Sequence, residues 1–157
     1  MTFCPGKRDP AAMTGAWDRD LDLDLKTNAD WGAAALVTLM ETHELKKLGV
    51  PDIGQRAVDL GLEWFYLPIR DVSFPGDTFE EAWVAAGRTI RDRLRNGQGV
   101  VIHCRGGLGR TGLVAARLLI ELGEAPGMAL NKVRKARPGA VETLQQEAYV
   151  LKLQKLA

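Results

Sequence analysis

Residues 100–112 have the sequence VVIHCRGGLGRTG, and the architecture of the chain can be inferred from this stretch. Its first part, Val100–Ile102, is a β-branched run bounded by turn residues, which is typical of a buried strand. The apolar segment Thr111–Leu122 is typical of a helix. The seven residues Cys104–Arg110 join the two and include three glycines. The sequence therefore predicts a tight, glycine-rich turn between a central strand and a buried helix.

This turn has the properties of an anion-binding site. Glycines let successive backbone N–H groups point inward, and the helix N-terminus adds unpaired N–H groups and a positive dipole end. Arg110 can bind two oxygens of a tetrahedral dianion, and these positive surroundings favour the nucleophilic thiolate of Cys104. A cysteine at a strand end or a glycine-rich turn would each, alone, fit an ordinary structural role. Their combination with the arginine at this spacing favours a functional site. The Gly-Lys-Ser/Thr ending of a nucleotide-binding loop is absent.

The rest of the chain alternates predicted strands and helices, which favours a largely parallel sheet with helices on both faces. We expect a single three-layer α/β domain over residues 1–157, with a central, mostly parallel sheet of four or five strands. Ligands bind at the carboxyl ends of strands in such folds, so the loops Pro68–Thr78 and Cys104–Arg110 are the candidate site. The predicted strands are Ala33–Leu39, Leu62–Leu67 and Val100–Ile102. The predicted helices are Trp17–Ala29, Glu41–Leu48, the segment between Pro51 and Gly61, Phe79–Asn96 (capped by Thr78 and Glu81), Thr111–Leu122, Pro126–Arg137 and Thr143–Leu156.

The composition excludes several classes of function. The 157 residues include 21 Lys and Arg against 20 Asp and Glu, so the net charge of +1 does not favour nucleic acid or a membrane surface as partner. Two cysteines form no disulfide framework, and only two histidines are available to ligate a metal, so we expect no metal and no other cofactor. The sequence shows no targeting segment and no apolar run long enough to span a bilayer. The expected location is therefore the cytoplasm and the expected state a monomer.

The motif His103-Cys104-x5-Arg110-Thr111-Gly112 resembles the signature of the cysteine-dependent protein tyrosine and dual-specificity phosphatases. Other segments resemble the kinase-associated phosphatase branch of that superfamily: Phe3-Cys4-Pro5-Gly6, Val37-Thr38-Leu39 followed by His43-Glu44-Leu45, Leu67-Pro68-Ile69-Arg70-Asp71, and Pro138-Gly139-Ala140-Val141. The resemblance implies a dual-specificity phosphatase-like fold over nearly the whole chain.

The resemblance also implies a role for each residue of the glycine-rich turn. Cys104 would attack phosphorus and form a thiophosphate intermediate. Thr111 would hydrogen-bond the sulfur and help it leave, and His103 would order the turn from behind. Arg110 and the backbone N–H groups would stabilise the equatorial phosphate oxygens as charge develops. The implied phosphate-binding residues are Arg105, Gly106, Gly107, Leu108, Gly109 and Arg110.

Such a reaction needs a general acid for the leaving group and then a base for the attacking water. Asp71 follows the second predicted strand by four residues, where the family places its general acid, and Asp77 on the same loop is the alternative. The Trp-Pro-Asp sequence that receptor-type tyrosine phosphatases have in this loop is absent.

Gln146 has two possible roles. Relatives often have a glutamine in this region that positions the hydrolytic water, but Thr143-x-x-Gln146 is also a capping box at a helix start. Both interpretations stay open. Cys4 is expected to be structural.

The expected function is that of a metal-independent phosphoprotein phosphatase acting on phosphotyrosine, phosphoserine or phosphothreonine through a cysteinyl-phosphate intermediate. The expected partner is a phosphorylated protein or peptide. A phosphoinositide or other small-molecule phosphatase is the alternative within the enzymes. Relatives that act on phosphoinositides have two lysines in the signature loop, where this chain has Arg105 and the apolar Leu108. A catalytically silent phospho-binding module is the alternative from another class.

Overall fold

Three parallel strands form the central sheet of the protein. The structure is a computed structural model, and it describes residues 1–156. The strands and helices, in chain order, are β1 (Arg8–Asp9), β2 (Trp17–Asp18), α1 (Leu21–Asp30), β3 (Ala33–Thr38), α2 (Thr42–Lys47), α3 (Ile53–Asp59), β4 (Glu63–Tyr66), α4 (Asp77–Arg95), β5 (Gly99–His103), α5 (Gly109–Glu121), α6 (Pro126–Ala136) and α7 (Leu144–Lys152).

The central sheet has the order β4–β3–β5, and both pairings are parallel. Residues Ala35–Leu39 are fully buried, because β3 is flanked by a strand on each side and covered by helices. A parallel sheet buried in this way has nearly continuous apolar strands, and Ala-Ala-Ala-Leu-Val has this pattern. The α/β class expected from the sequence is confirmed.

The helices pack against the sheet in two groups. In the first group α1 lies against β3 and α3 against β4, and these two helices also contact each other. In the second group α4 and α5 lie against β5, while α6 and α7 cover α5. The helix α5 is therefore enclosed, and its residues from Gly109 to Val114 are all buried. No helix among residues 1–156 is long and apolar enough to cross a membrane.

Charged groups on the enclosed helix α5 are paired. Three donors bind the buried carboxylate of Glu121: Arg117, Trp83 and Arg91. Arg117 also donates to the hydroxyl of Tyr149 on α7, at 2.7 Å. Because a buried charge is tolerated only when it is paired, this cluster joins α4, α5 and α7 in one arrangement.

The expected sheet of four or five strands was wrong, because the central sheet has three. Only three segments that are rich in apolar or β-branched residues are long enough to form a strand of this sheet. The loop after β4 adds no strand, because it contains two prolines, which cannot donate a hydrogen bond to a neighbouring strand. The N-terminal segment runs beside β5 but forms a single parallel bridge, between Thr2 and His103. The strands β1 and β2 pair with each other in a separate antiparallel hairpin.

Several helix bounds also differ from the prediction. The helix expected from Thr111 begins at Gly109, and the one expected to reach Leu156 ends at Lys152. The helix expected from Trp17 begins at Leu21, because Asp20 caps it by accepting from the Leu23 amide at 2.8 Å. The helix expected at Phe79 with Thr78 as its cap begins at Asp77. The capping box of Thr143 and Gln146 is present at the start of α7 as predicted.

Candidate active site

The carboxyl ends of the three parallel strands lie at the same level. Thr38 at the end of β3 pairs with Tyr66 of β4 and with His103 of β5. The loops after β4 and β5 line a cavity of about 410 Å³, which the hairpin of β1 and β2 closes on one side. The lining residues include seven of the predicted site residues but not His103, Gly107, Gly109 or Thr111. The seven are Cys104, Arg105, Gly106, Leu108, Arg110, Asp71 and Gln146. The topology therefore brings together residues that are far apart in the sequence.

The turn between β5 and α5, residues Cys104–Leu108, is the floor of this cavity and is called the phosphate loop below. The backbone N–H groups of its residues 105–108 donate to no acceptor within residues 1–156. Gly107 has a φ of +70°, and a Cβ atom there would collide with the peptide group that joins Thr2 to Phe3. A glycine is therefore required at this position by both its conformation and its surroundings. Such a run of unpaired N–H groups before a helix N-terminus is suited to an anion.

Arg110 is 2% exposed and is held by three acceptors. Its Nη1 and Nη2 atoms donate to the two carboxylate oxygens of Glu44, at 2.7 and 2.9 Å. Nη1 also donates to the backbone carbonyl of Ile69 at 3.0 Å, and Nη2 lies 3.0 Å from Asp71 Oδ1. This arrangement fixes the guanidinium plane at the edge of the phosphate loop.

The Glu44 carboxylate is charged at neutral pH despite its burial. Burial alone would raise the pKa of Glu44, but hydrogen bonds from Arg110 and from the Glu41 amide outweigh it, so the pKa lies below its ordinary value. Burial would likewise lower the pKa of Arg110, yet the bonds to Glu44 keep it above its ordinary value. The two residues therefore form a charged pair inside the protein.

Asp71 and Asp77 occupy different places. Asp71 lies on the wall of the cavity beside Arg110, with its side chain 53% exposed. Its Oδ1 also accepts from the Val72 amide at 3.0 Å. Asp77 is the first residue of α4 and does not line the cavity that contains Cys104. The structure therefore brings only one of the two candidate acids next to the cysteine loop.

His103 lies behind the phosphate loop and is fully buried. Its Nε2 atom is 2.8 Å from the hydroxyl oxygen of Thr38, which also accepts from the Trp64 indole at 2.9 Å. Burial lowers the pKa of His103 to about 4, so the imidazole is neutral at physiological pH. The imidazole binds the sheet through Thr38, and its Nδ1 atom forms no hydrogen bond within residues 1–156, so its role in ordering the loop stays a prediction.

Thr111 is also buried, and its hydroxyl group forms no hydrogen bond with any group of residues 1–156. The expected hydrogen bond to the Cys104 sulfur is therefore not formed in this structure. A buried hydroxyl without a partner is unfavourable and is a feature that active sites often contain.

Gln146 fulfils the capping role and also lines the cavity. Its side-chain carbonyl accepts from the amides of Glu142 (3.0 Å) and Thr143 (3.3 Å). Its amide group donates to the carbonyl of Ser73 at 2.9 Å, two residues after Asp71. The glutamine therefore connects the loop that carries Asp71 to the start of α7.

Cys4, the second cysteine, is buried beside the phosphate loop. Burial raises the pKa of the Cys4 thiol to about 12, so it is protonated at neutral pH. Its backbone amide donates to the carbonyl of Arg105 at 3.2 Å. These contacts fit the structural role expected for Cys4.

Several residues that contact the site had no role in the prediction from sequence, among them Glu44, Lys7, Asp9 and Arg137. Lys7 donates to the Arg105 carbonyl at 3.4 Å and lies 3.9 Å from the ring centroid of Trp17. Arg137 donates to the carbonyls of Gly106 and Gly107. Glu44 belongs to a segment that resembles the kinase-associated phosphatases. This resemblance was the only feature of the sequence that pointed to a role for Glu44. No spacing rule relates it to Arg110, 66 positions away.

Comparisons with known proteins find a family model that matches most of the chain. Residues 13–124 match the family described as "Polymorphic toxin system, DSP-PTPase phosphatase". Cyclin-dependent kinase inhibitor 3 of Rattus norvegicus is 30% identical over 135 residues, which cover 84% of this chain and 62% of that protein. The chain therefore spans less than two thirds of the length of this relative.

Two solved structures are similar over most of the chain. Kinase-associated phosphatase, with its catalytic-site cysteine replaced by serine, has a TM-score of 0.82 and 26% identity over 94% of this chain and 80% of that chain. Tk-PTP in its active form has a TM-score of 0.70 and 37% identity over 87% of this chain and 88% of that chain. With its parallel sheet and cysteine–arginine loop, the chain belongs to the DSP-PTPase phosphatase family.

The charged pair predicts the effect of Glu44→Gln. Loss of the carboxylate frees the buried Arg110 to change its orientation, so we expect kcat/KM for an aryl phosphate to fall by about a hundredfold. We also expect a loss of about 3 kcal/mol in the free energy of unfolding, measured by urea denaturation. Glu41→Gln, at the start of the same helix, is the matched control and should retain activity. Normal activity in the folded Glu44→Gln protein would contradict a role of Glu44 in holding Arg110.

Burial of neutral His103 predicts a pH dependence of stability. Between its ordinary pKa of 6.5 and the folded value of about 4, the unfolded chain binds a proton that the folded chain does not. His103 therefore lowers stability as pH falls through this window, by about 1.4 kcal/mol per pH unit. Urea denaturation at several pH values should show this slope in the difference between wild type and His103→Asn. His43→Asn, which replaces the other histidine of the chain, is the matched control. A wild-type minus His103→Asn difference that does not vary with pH would contradict the prediction.

Proposed function

We propose that this protein is a metal-independent phosphoprotein phosphatase that hydrolyses phosphotyrosine, phosphoserine or phosphothreonine through a cysteinyl-phosphate intermediate. The observation that carries the proposal is the convergence of Cys104, the oriented guanidinium of Arg110 and the carboxylate of Asp71 on one cavity. A nucleophile, an anion-binding group and a proton donor are the three parts that such a reaction needs.

In the first step the Cys104 sulfur attacks phosphorus and an S–P bond forms. The bond between phosphorus and the leaving oxygen breaks, and Asp71 gives that oxygen its proton. The N–H groups of the phosphate loop and Arg110 bind the equatorial oxygens, where negative charge develops. Because these donors are fixed before substrate binds, they need no reorganisation during the reaction.

In the second step water attacks the phosphocysteine. The Asp71 carboxylate accepts a proton from the water as the new O–P bond forms, and the S–P bond breaks to release inorganic phosphate and the Cys104 thiolate. Gln146 lies on the cavity wall and could orient the water with the amide hydrogen that does not bind Ser73. The unpartnered hydroxyl of Thr111 is available to stabilise the departing thiolate.

The names of the relatives support a protein substrate. The matched proteins include a kinase-associated phosphatase, a protein named cyclin-dependent kinase inhibitor 3 and a tyrosine-protein phosphatase of Saccharomyces cerevisiae. We extend to this chain the substrate class of phosphorylated protein or peptide. The reduced thiol that the mechanism requires fits a cytoplasmic location.

The nucleophile assignment predicts the behaviour of Cys104→Ser. Replacing the sulfur removes the thiolate, so we expect hydrolysis of p-nitrophenyl phosphate to fall by at least about a thousandfold. Wild-type activity should persist in EDTA and be inhibited by vanadate. Cys4→Ala is the matched control, since Cys4 is the other buried cysteine, and it should retain most of the activity. Substantial activity in Cys104→Ser would overturn the assignment.

The general-acid assignment predicts a dependence on the leaving group in Asp71→Asn. A poor leaving group such as phenolate needs the proton, so kcat for phenyl phosphate should fall by about a hundredfold or more. A good leaving group needs it less, so kcat for p-nitrophenyl phosphate should fall to a smaller degree. Asp77→Asn should leave both rates nearly unchanged. Equal losses for both substrates in Asp71→Asn, or a leaving-group effect in Asp77→Asn, would show that Asp71 is not the acid.

A further inference from the structure

The outer side of the phosphate loop is held by hydrogen bonds to its backbone carbonyl groups. Four successive carbonyls, from residue 105 to residue 108, each accept from a donor outside the loop. The donors are the Cys4 amide and Lys7 for Arg105, Arg137 for Gly106 and Gly107, and the Gly112 and Val141 amides for Leu108. The loop is therefore fixed from outside along its length.

The direction of a carbonyl determines the direction of the next N–H group. In a planar trans peptide the C=O and the N–H point to opposite sides. A carbonyl held away from the cavity therefore directs the N–H of the following residue toward it. The carbonyls of Gly106 and Gly107 control the N–H groups of Gly107 and Leu108 in this way.

Of these two residues, Gly106 is the one that packing restrains least, since Gly107 lies against the peptide group of Thr2 and Phe3. Gly106 and Gly107 have no side chain, and glycine populates positive and negative φ about equally. A Cβ atom at Gly106 would meet no other atom within 4 Å, so no packing against that position restrains it. An external contact is therefore needed to select one orientation.

Arg137 makes this contact with both peptides. Its Nε donates to the Gly107 carbonyl at 2.6 Å, and its Nη2 donates to the Gly106 carbonyl at 2.9 Å. Nε and one Nη lie on the same edge of the planar guanidinium, so one rigid group binds two successive carbonyls. Lysine has a single ammonium group without this geometry.

The chain ends α6 in a way that directs Arg137 toward the loop. Arg137 is the C-cap residue and has extended backbone angles, with φ −142° and ψ 95°. Pro138 follows, and the residue before a proline is disfavoured in the helical conformation. Arg137 therefore leaves the helix in a fixed direction, and its side chain crosses to the phosphate loop, 30 positions away in sequence.

We propose that Arg137 is a positioning residue for phosphate: it holds the carbonyls of Gly106 and Gly107 outward so that the N–H groups of Gly107 and Leu108 face the phosphate oxygens. It touches the loop and not the phosphate. The expected effect of Arg137 on catalysis rests on the proposed function. Its expected effect on oxyanion binding does not, because binding can be measured without turnover.

The test compares Arg137→Ala and Arg137→Lys with wild type, and Lys135→Ala is the matched control. Lys135 is an exposed cation on the same helix and makes no contact with the phosphate loop. Calorimetric titration with tungstate measures oxyanion affinity directly. Steady-state kinetics with p-nitrophenyl phosphate measure kcat and KM separately, and thermal unfolding measures stability.

We expect the tungstate Kd to rise by about tenfold in Arg137→Ala, because two oxyanion donors lose their orientation. Arg137→Lys should lie between Arg137→Ala and wild type, because its ammonium can hold one carbonyl. The N–H groups of Gly107 and Leu108 stabilise the additional charge of the transition state more than they stabilise bound substrate. We therefore expect kcat to fall by a larger factor than KM rises. Lys135→Ala should match wild type in all three measurements.

Unchanged tungstate affinity in folded Arg137→Ala would overturn the proposal. So would a fall in thermal stability with normal Kd and kcat at lower temperature, since that is the result of a purely structural contact. If Arg137→Ala does not fold, the test is the tungstate affinity of Arg137→Lys: a weaker affinity than that of wild type supports the proposal, and an unchanged affinity overturns it. If wild type binds tungstate but does not hydrolyse aryl phosphates, the proposed function fails while the binding comparison still tests Arg137.

Discussion

The ion pair between Arg110 and Glu44 joins the segments that form the candidate site. Arg110 begins the helix after β5, Glu44 lies on the helix after β3, and the Ile69 carbonyl that Arg110 also binds belongs to the loop after β4. All three strands of the sheet therefore contribute to the orientation of one guanidinium. Because a buried charge without its partner costs several kcal/mol, the pair also favours the strand register that brings these loops together. The buried cluster around Glu121 holds the same helix at its other end.

Under the proposed function, phosphate would be recognised mainly through the backbone and not through surface charge. The chain has a net charge of +1, and the cations near the phosphate loop are largely occupied: Arg110 by Glu44, and Arg105 by Asp9 at 2.6 Å. Beside the free edge of Arg110, an anion would meet a set of N–H groups whose direction is set by contacts on the opposite side of each peptide. Such donors are short and rigid, so they distinguish a tetrahedral dianion by geometry where a basic surface would attract any anion.

The sequence was sufficient to predict the strand, turn and helix around Cys104, because there the local pattern and the chemistry coincide. The predicted residues Cys104, Arg110, Asp71 and Gln146 do line one cavity. The roles of Glu44 and Arg137 could not be predicted, since each acts by a contact across the fold that no local periodicity encodes. The strand number was overestimated because only three segments combine an apolar or β-branched composition with the length of a strand in the central sheet. Gln146 forms the predicted capping box and also binds the Ser73 carbonyl, while its role in positioning water stays a prediction.

The contact between Asp71 Oδ1 and Arg110 Nη2, at 3.0 Å, links two functions that are usually considered separately. Both N–H groups of Nη1 are already directed to Glu44 and Ile69, so the Nη2 edge is the part of Arg110 that an incoming phosphate can share. A phosphate oxygen on that edge competes with the Asp71 carboxylate. By linkage, a bound anion weakens the contact between Asp71 and Arg110 by a certain free energy. That contact weakens the binding of the anion by the same free energy. Under the proposed function, the free protein would thus contain an internal competitor, the Asp71 carboxylate, that substrate binding displaces from Arg110.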